Sequence, residues 1–330
     1  MKALQCVELG GPDRLQLANI PAPEAKGRGV RVRVAAAGLN FPDTLIIRGQ
    51  YQFKPPLPFV PGGEVAGEVV SVGEQVTRFR PGDRVMGLTG IGAFAEEVVV
   101  TEQNLMPVPE GMDLITAGGF PMIYGTSWHA LVQRGHLQAG QTLLVLGAGG
   151  GVGLAAVNIG AALGATVIAA ASSDEKLEAA RKAGATHTIN YTETSLRDAV
   201  KSLTKGAGVD VAYDPVGGDL TEQALRSMGW GGRLLIVGFA SGTIPKLPAN
   251  LPLLKGCDIC GVFWGAYTMK DPQGNADNFR KMAELYAAGK LTPPAVKRYA
   301  LSDWQTAFSD MESRRLTGKA VLIPDESGPA

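Results

Sequence analysis

The feature that most constrains this chain is the stretch Thr142-Leu-Leu-Val-Leu-Gly-Ala-Gly-Gly-Gly-Val-Gly-Leu154. Its apolar run at 143–146 is typical of a strand that is buried on both faces of a parallel sheet. Five glycines follow within seven residues, and a small, apolar, helix-forming run comes after them. A strand, a glycine turn and a helix start form a phosphate cradle, because the backbone N–H groups and the helix dipole favour an anion there. The stretch therefore predicts a dinucleotide-binding site.

The spacing of these glycines departs from the usual G-x-G-x-x-G pattern. Gly147, Gly150 and Gly153 recur at every third position, so we expect a turn that is one residue longer than the standard one. Many glycine-rich stretches are only tight turns. The prediction therefore depends on the strand before the glycines and the strand–helix pattern after them.

The length of 330 residues exceeds what one ordinary core accommodates, so we expect two domains. Residues 1–125 contain short alternating strands punctuated by Gly and Pro, which predicts a β-rich, barrel-like domain. Residues 126–265 alternate strands with helices, which predicts a Rossmann-type doubly wound, six-stranded parallel sheet. The β-α-β tail at 266–330 is too small for a core of its own, so we assign it to the first domain, which becomes discontinuous.

The elements of the second domain can be placed approximately from the hydrophobic pattern. Strands are predicted near 142–147, 166–171, 186–190, 209–214, 232–238 and 258–264, and helices near 151–164, 174–183, 194–204, 219–228 and 249–255. In the second of these helices, Asp174 is expected at the N-cap, and Gly184 is expected just past the end, at C′.

Charge and cysteine content exclude several classes of protein. The chain has 31 basic and 31 acidic residues, so no net positive field is present to hold nucleic acid. Its first residues contain no apolar segment of the length of a signal peptide or a membrane span. Three cysteines cannot form a disulfide framework. We therefore expect a soluble, cytoplasmic protein that has no membrane or nucleic-acid partner.

The order of short motifs resembles that of the medium-chain dehydrogenase/reductase superfamily over essentially the whole chain. Within the superfamily it is similar to the zinc-free NADPH:quinone oxidoreductases related to zeta-crystallin, in which the first domain is GroES-like. The matching segments are Ala36-Ala-Gly-Leu-Asn-Phe-Pro-Asp43, Pro61-Gly-Gly-Glu-Val-Ala-Gly67, Pro81-Gly-Asp-Arg-Val85, the glycine turn, Asp214-Pro-Val-Gly-Gly218, Gly238-Phe-Ala-Ser-Gly242 and Thr317-Gly-Lys-Ala-Val321.

The resemblance bears directly on whether the protein holds a metal. Zinc-dependent relatives have a cysteine at the position of Asn40 and a histidine at that of Gly63, and the cysteines of their structural-zinc loop have no counterpart here. Cys257 and Cys260 form a C-x-x-C without a second pair, and we expect both to be buried structural thiols at the last strand of the parallel sheet. The three histidines are scattered and are expected at the surface or at helix ends. We predict no zinc.

The end of the second predicted strand indicates which dinucleotide binds. An NAD-preferring fold usually has Asp or Glu there, whereas this chain has Ser172 and Ser173, with Lys176 close behind. Hydroxyl groups and an ammonium suit a 2′-phosphate, so the prediction is NADPH. An ordinary solvated helix lysine is the alternative for Lys176. The resemblance implies a full set of cofactor-binding residues: Asn40, Thr126, Gly150, Gly151, Val152, Ser172, Ser173, Lys176, Tyr191, Val216, Phe239, Ser241, Phe263, Trp264 and Lys319.

Two residues are candidates for the chemistry itself. Asn40 can offer an amide hydrogen to the nicotinamide or to a substrate carbonyl, and Tyr51 is the best phenol for donating a proton to the substrate oxygen. A tyrosine at the matching place in the related 2-enoyl thioester reductases has that role, whereas a tyrosine that merely packs at the pocket rim is the alternative. Asp43 is expected to orient backbone rather than to do chemistry.

The resemblance implies a reductase of quinones or related α,β-unsaturated carbonyls that is independent of zinc and moves a hydride from nicotinamide C4. A reductase of enoyl thioesters such as acyl-CoA conjugates is the nearest alternative, and it would need a basic entrance for the CoA phosphates, for which Arg48, Lys54 and Arg298 are the candidates. A non-enzymatic crystallin-like or RNA-binding protein is the alternative from another class. Relatives pair subunits through the last strand of the cofactor sheet, so a homodimer through 258–264 is expected, and Trp264 could lie at that edge.

Overall fold

The computed structural model describes residues 1–325. The strands in this part of the chain are β1 (Lys2–Cys6), β2 (Leu15–Asn19), β3 (Gly29–Leu39), β4 (Glu64–Val72), β5 (Arg84–Leu88), β6 (Glu97–Thr101), β7 (Leu105–Pro107), β8 (Thr142–Leu146), β9 (Thr166–Ala171), β10 (His187–Asn190), β11 (Val209–Asp214), β12 (Met228–Ile236), β13 (Asp258–Gly261), β14 (Val296–Ala300) and β15 (Lys319–Ile323).

The α-helices are α1 (Phe41–Ile46), α2 (Leu114–Gly118), α3 (Phe120–Trp128), α4 (Gly151–Ala162), α5 (Asp174–Lys182), α6 (Leu196–Leu203), α7 (Asp219–Ser227), α8 (Asn250–Lys255), α9 (Trp264–Lys270), α10 (Pro272–Ala287) and α11 (Trp304–Glu312). A π-helical segment, His129–Arg134, follows α3, and short 3-10 turns occur at Pro12–Arg14, Glu102–Asn104 and Leu301–Asp303. No helix within residues 1–325 combines the length and the apolar character that a bilayer crossing requires.

The chain divides into two compact units. The first contains Met1–Met122 together with residues 295–325, and the second is Ile123–Pro294. The later boundary therefore falls at 294/295 rather than at 265/266, because α10 belongs to the second unit. There the Asn278 side-chain carbonyl of α10 accepts hydrogen bonds from Trp128 Nε1 at 3.2 Å and from Gln133 Nε2 at 2.7 Å.

The second unit is built on a six-stranded sheet in the order β10-β9-β8-β11-β12-β13, in which all neighbours are parallel. Chain order reverses between β8 and β11, as in a doubly wound fold, so the predicted Rossmann-type sheet is confirmed. The side chains of Leu143–Leu146 in β8 are all fully buried, as expected of a central parallel strand that helices cover on both faces.

The N-cap of α5 differs from the prediction. Ser173 is the cap, and its hydroxyl accepts the Lys176 N–H, whereas Asp174 is the first helical residue and is exposed. Both residue types cap helices, and Ser173 has the extended backbone that the cap position requires. At the other end, Gly184 has a φ of +109° and its N–H bonds to Arg181 O at 3.0 Å, so its predicted position at C′ is confirmed.

The last strand of the parallel sheet is shorter than predicted. β13 ends at Gly261, and α9 begins at Trp264, whose buried indole donates a hydrogen bond to Asn275 Oδ1 at 3.0 Å. Trp264 is therefore not an exposed residue of the sheet edge. Cys257 precedes β13 and is buried as expected, whereas Cys260, inside the strand, is half-buried because this strand lies at the edge of the sheet.

The first unit contains a mixed sheet in the order β14-β15-β3-β4-β5-β7, with β6 also paired to β3. The eleven residues of β3 pair with β4, β6 and β15, and this brings the C-terminal strand of the chain beside an early one. The alternating apolar residues of β3, β4 and β15 face one core together with Phe94 and Phe308. This arrangement of strands agrees with the expected GroES-like domain.

Candidate functional site

The glycine turn joins β8 to α4, and three of its glycines are required for three different reasons. Gly147 has a φ of +58°, which favours glycine. A Cβ on Gly153 would lie 2.8 Å from the Gly147 carbonyl carbon, so the helix could not start this close to the strand. A Cβ on Gly150 would meet only Gly147 O, at 3.6 Å, and would otherwise project into open space at the start of α4. That open space at a helix N-terminus fits a pyrophosphate.

The turn that follows β11 is organised by a buried carboxylate that sequence reasoning did not single out. Asp214 Oδ1 accepts the Val216 and Gly217 N–H groups at 2.8 and 3.0 Å, and its Oδ2 accepts the Thr221 hydroxyl at 2.5 Å. The available signal was an acidic residue at the end of an apolar strand, directly before Pro-Val-Gly-Gly. Asp214 therefore fixes the backbone of a turn that contains the predicted cofactor residue Val216.

Three of the turns at the carboxyl ends of the parallel strands contact one another. A Cβ on Gly147 would lie 2.9 Å from Val216 Cγ2, and one on Gly217 would lie 3.0 Å from Phe239 Cδ1. The Ser241 N–H donates to Val216 O at 2.8 Å. Phe239 is half-buried, so it is not a residue of the closed core. The structure thus brings Gly150, Gly151, Val152, Val216, Phe239 and Ser241 to one edge of the sheet, where open α/β sheets bind ligands.

The residues predicted for the adenosine phosphate lie at the ends of β9 and β10. Ser172 is exposed, and the hydroxyl of Ser173 faces the first turn of α5 as its cap. The aliphatic stem of Lys176 packs against the backbone of Gly149, because a Cβ there would lie 2.5 Å from Lys176 Cγ. Tyr191 follows β10, and its N–H bonds to Ala171 O at 3.2 Å, at the end of β9. Lys176 therefore lies beside the glycine turn, and the other three residues lie at the neighbouring ends of β9 and β10.

The remaining predicted residues of the second unit differ in exposure. Thr126 is half-buried, and the neighbouring Ser127 donates its hydroxyl hydrogen to Val152 O at 2.9 Å, which ties Thr126 to the first turn of α4. Phe263 is 54% exposed, whereas Trp264 is 4% exposed with its indole N–H already bonded to Asn275.

A buried charged cluster in the first unit joins residues that are distant in the sequence. Lys319, at the start of β15, is 3% exposed, and its ammonium donates to Leu39 O at 2.9 Å, Asn40 Oδ1 at 2.6 Å and Glu64 Oε1 at 2.7 Å. The second oxygen of Glu64 accepts the Met122 N–H at 2.7 Å. Every hydrogen of the ammonium therefore has a protein acceptor. Sequence reasoning assigned no role to Glu64, for which the available signal was a carboxylate within the apolar, glycine-rich segment Pro61-Gly-Gly-Glu-Val-Ala-Gly67.

The Asn40 side chain is fully hydrogen-bonded within this cluster. Its Oδ1 accepts from Lys319, and its Nδ2 donates to Glu64 Oε1 at 2.7 Å and to Gly38 O at 3.2 Å. In this arrangement both amide hydrogens point at protein oxygens. The predicted donation to a nicotinamide or a substrate requires the exchange of one of these bonds.

Asp43 and Tyr51 complete the polar groups of this region. Asp43 is buried and its Oδ2 accepts the Asn40 N–H at 2.8 Å, which agrees with an orienting role. Burial raises the pKa of Asp43 to about 7, and the negative charge of Glu64 adds to the rise, against the opposing effects of the Asn40 N–H and Lys319. Tyr51 is half-buried, and burial, followed by the charge of Asp43, raises the pKa of its phenol. Tyr51 therefore keeps its proton at neutral pH.

Residues 1–325 contain no group of three or more His, Cys, Asp and Glu side chains arranged to hold a metal. Gly63 stands where zinc-dependent relatives have a histidine, and a Cβ at this position would lie 3.3 Å from Met122 Cε and 3.6 Å from Gly90 O. His129 directly follows α3, so it lies at a helix end as expected, and it is buried with its ring stacked on Tyr267 at a centroid distance of 4.3 Å.

The sheet order, the glycine turn and the second, β-rich unit define the fold of the medium-chain dehydrogenases/reductases. Residues 26–110 match the family model described as "Alcohol dehydrogenase GroES-like domain", and residues 151–287 match "Zinc-binding dehydrogenase". The mouse "Quinone oxidoreductase-like protein 2" is 40% identical over 97% of this chain and 91% of its own length. The quinone oxidoreductase of Pseudomonas aeruginosa is 37% identical over 98% of this chain and 99% of its own.

A solved structure shows the same relationship. The Escherichia coli quinone oxidoreductase, determined in complex with NADPH, superposes with a TM-score of 0.91 at 28% identity, covering 98% of this chain and all (100%) of its own. The chain belongs to the quinone oxidoreductase family of the medium-chain dehydrogenase/reductase superfamily.

Proposed function

We propose that this protein is a zinc-independent, NADPH-dependent reductase of quinones or related α,β-unsaturated carbonyls. The observation that carries the proposal is the buried Lys319 ammonium, which bonds both Asn40 and Glu64. A cation stands beside the position that holds a metal ligand in the zinc-dependent relatives. The reaction that remains for a site of this kind is hydride transfer to a carbon already activated by conjugation, which needs positioning and exclusion of water rather than a metal.

NADPH is the proposed cofactor, and bound there it supplies the hydride from nicotinamide C4. The open space at Gly150 and the N-terminus of α4 would hold the pyrophosphate. Ser172, Ser173 and Lys176 would hold the 2′-phosphate through hydroxyl groups and an ammonium. Support comes from the absence of an acidic residue at the end of β9, and from the NADPH complex of the Escherichia coli relative.

One matching family model is described as a zinc-binding dehydrogenase. We nevertheless propose that this protein is independent of zinc, because of the positive charge at the site. The Lys319 ammonium takes up Asn40 Oδ1 and Glu64 Oε1, which are the oxygen atoms a metal here would need. A second cation beside a buried ammonium is strongly disfavoured. We expect elemental analysis of the purified protein to find less than about one-tenth of an equivalent of zinc, and prolonged chelation to leave turnover unchanged. Stoichiometric zinc whose removal abolishes turnover would contradict this.

At the substrate, two side chains have proposed roles. Tyr51 holds a proton at neutral pH and donates it to the substrate oxygen as negative charge develops there. Asn40 donates one amide hydrogen to the nicotinamide or the substrate carbonyl, after exchanging a bond that it makes within the protein.

The assay that tests the proposed function is NADPH oxidation with three groups of acceptor: quinones, simple enones and enoyl-CoA thioesters. We expect turnover with quinones or enones. Faster turnover with enoyl-CoA would favour the thioester reductase instead. Arg48, one of the basic residues proposed for a CoA entrance, is paired with Glu312 at 2.7 Å, which does not favour that alternative. If the protein binds NADPH but oxidises it with none of these acceptors, the enzymatic proposal is wrong. That result would favour the alternative of a crystallin-like or RNA-binding protein.

We also propose a homodimer that pairs two copies of β13. This strand lies at the edge of the parallel sheet, and Ile259 within it is 42% exposed. Leu253 and Leu254, on the preceding helix α8, are 78% and 66% exposed. Sedimentation should show a dimer that Ile259→Lys with Leu254→Lys converts to monomer. A wild-type protein that sediments only as a monomer would exclude this interface.

A cytoplasmic location is proposed as well, because Cys6, Cys257 and Cys260 are all unpaired thiols. Fractionation of the source cells, with recovery of the protein in the cytosolic fraction, tests this.

A further inference from the structure

Glu64 is a buried carboxylate to which the proposed chemistry assigns no part. It is fully buried, and its Oε1 accepts hydrogen bonds from Lys319 Nζ and Asn40 Nδ2, both at 2.7 Å. Its Oε2 accepts the Met122 N–H at 2.7 Å. A Cβ on Gly38 would lie 2.6 Å from the carboxyl carbon of Glu64, so backbone also packs closely against it. The carboxylate is therefore held on three sides in one orientation.

The bonds of the Asn40 amide are unequal in strength. Its oxygen accepts from a cation at 2.6 Å, and one of its hydrogens is donated to an anion at 2.7 Å. The other hydrogen goes to the neutral carbonyl of Gly38 at 3.2 Å. Hydrogen bonds to charged groups are about twice as strong as those between neutral groups. The bond to Gly38 is thus the one that Asn40 can exchange for a bond to a ligand.

We propose that Glu64 is a positioning residue for the reduction: together with Lys319 it fixes the Asn40 amide so that a single, defined amide hydrogen is available to the nicotinamide or the substrate. The inference rests on the proposed function and extends it. Without the carboxylate, the amide can rotate, and the hydrogen that should meet the ligand is directed elsewhere for part of the time.

Stability alone gives no strong reason for burying this ion pair. Apolar residues of similar volume often replace a buried pair without loss of stability, because desolvation of the two charges offsets their attraction. The opposite charges are, however, what distinguishes the two ends of the Asn40 amide. An apolar pair would fill the same space and leave the orientation of the amide undetermined.

The test is a double-mutant cycle between Glu64 and Asn40. Glu64→Gln should lower kcat for NADPH-dependent quinone reduction by about 10- to 100-fold, with about threefold change or less in the NADPH Kd. Asn40→Ala should have a similar effect. In the Asn40→Ala background, Glu64→Gln should cause no further loss, because its effect passes through the amide. Additive losses of kcat would overturn the inference.

Glu64→Gln leaves a buried ammonium without a counter-charge and can fold poorly. A second variant therefore combines Glu64→Gln with Lys319→Met, which removes both charges of the pair. This neutral pair should recover thermal stability while kcat stays low. Recovery of both stability and kcat would show that the pair is only structural.

Glu102→Gln is the matched control for loss of a buried carboxylate. Glu102 is 3% exposed in the same unit, and it accepts hydrogen bonds from the Thr77 and Arg78 N–H groups and pairs with Arg28. The Glu102→Gln substitution should lower the melting temperature but leave kcat within about twofold of the wild-type value. An equal loss of kcat in this control would overturn the inference. Wild-type protein that reduces no quinone or enone would instead refute the proposed function on which the cycle depends.

Discussion

Two single-methyl substitutions in the glycine turn should separate folding from cofactor binding. In Gly153→Ala the new Cβ would lie 2.8 Å from the Gly147 carbonyl carbon and 2.9 Å from Ala148 Cα. Both neighbours are backbone atoms, which cannot turn aside as a flexible side chain can. Overpacking of this kind lowers the free energy of unfolding by about 1–3 kcal/mol or more, whereas the better helix propensity of alanine raises it by about 1 kcal/mol. Because every close neighbour is a backbone atom, we expect a cost near the upper end of this range, about 3 kcal/mol, so that the free energy of unfolding falls by about 2 kcal/mol.

Gly150→Ala should do the reverse. Gly150 has a φ of −86°, which alanine readily adopts, and the new Cβ would have only Gly147 O near it, at 3.6 Å. The N-cap position prefers glycine to alanine, so the loss of stability should stay at about 1 kcal/mol or less. The methyl group would, however, stand where the pyrophosphate must approach. We expect the Kd values of NADPH and NADH to rise together by about tenfold or more, which corresponds to about 1.4 kcal/mol.

The measurements are urea unfolding of each variant and fluorescence titration with each nucleotide. Gly150→Ala should unfold nearly like wild type and bind both nucleotides weakly. Gly153→Ala should unfold earlier, and its remaining folded fraction should bind better than Gly150→Ala does. A Gly150→Ala protein with wild-type affinity, or a Gly153→Ala protein with wild-type stability, would refute the roles that we assign to the two glycines.

Three further perturbations test the other polar groups. Lys176→Ala should raise the Kd of NADPH by about 10- to 100-fold and leave that of NADH nearly unchanged, because it removes a charge-assisted bond to the 2′-phosphate; equal effects in titrations with both nucleotides would contradict this role. Tyr51→Phe should slow enone reduction by about 100-fold or more with little change in NADPH affinity, and unaltered turnover would leave Tyr51 a packing residue. Burial raises the pKa of Asp43 from 3.8 to about 7. Protonation of Asp43 therefore contributes its full stabilisation of the folded protein below the unfolded pKa, and this contribution is lost as the pH rises through about 7. Relative to Asp43→Asn, wild type should therefore lose on the order of 4 kcal/mol between about pH 4 and pH 7 in unfolding measurements; parallel pH dependences would contradict the raised pKa.

Much of the second unit could be predicted from sequence because its signals are local. The boundaries of β9 and β11 agree with the prediction, since each is a short apolar run bounded by turn residues. The glycine turn is similarly local, and its every-third spacing matches the separate roles of Gly147, Gly150 and Gly153. Where two adjacent residues could both cap a helix, as Ser173 and Asp174 could, composition did not decide between them and backbone geometry did.

The charged cluster was beyond sequence reasoning, because its members come from opposite ends of the chain. Asn40 and Lys319 are 279 positions apart, and the pairing of β15 with β3 is what brings them together. Glu64 joins them because β4 pairs with the other edge of β3. The sequence by itself determined that a parallel sheet with a phosphate-binding turn would form, since hydrophobic period and glycine position act over a few residues. Only the tertiary structure decided which polar atoms share a buried environment, because burial and charge pairing depend on strands that are adjacent in the sheet but far apart in the sequence.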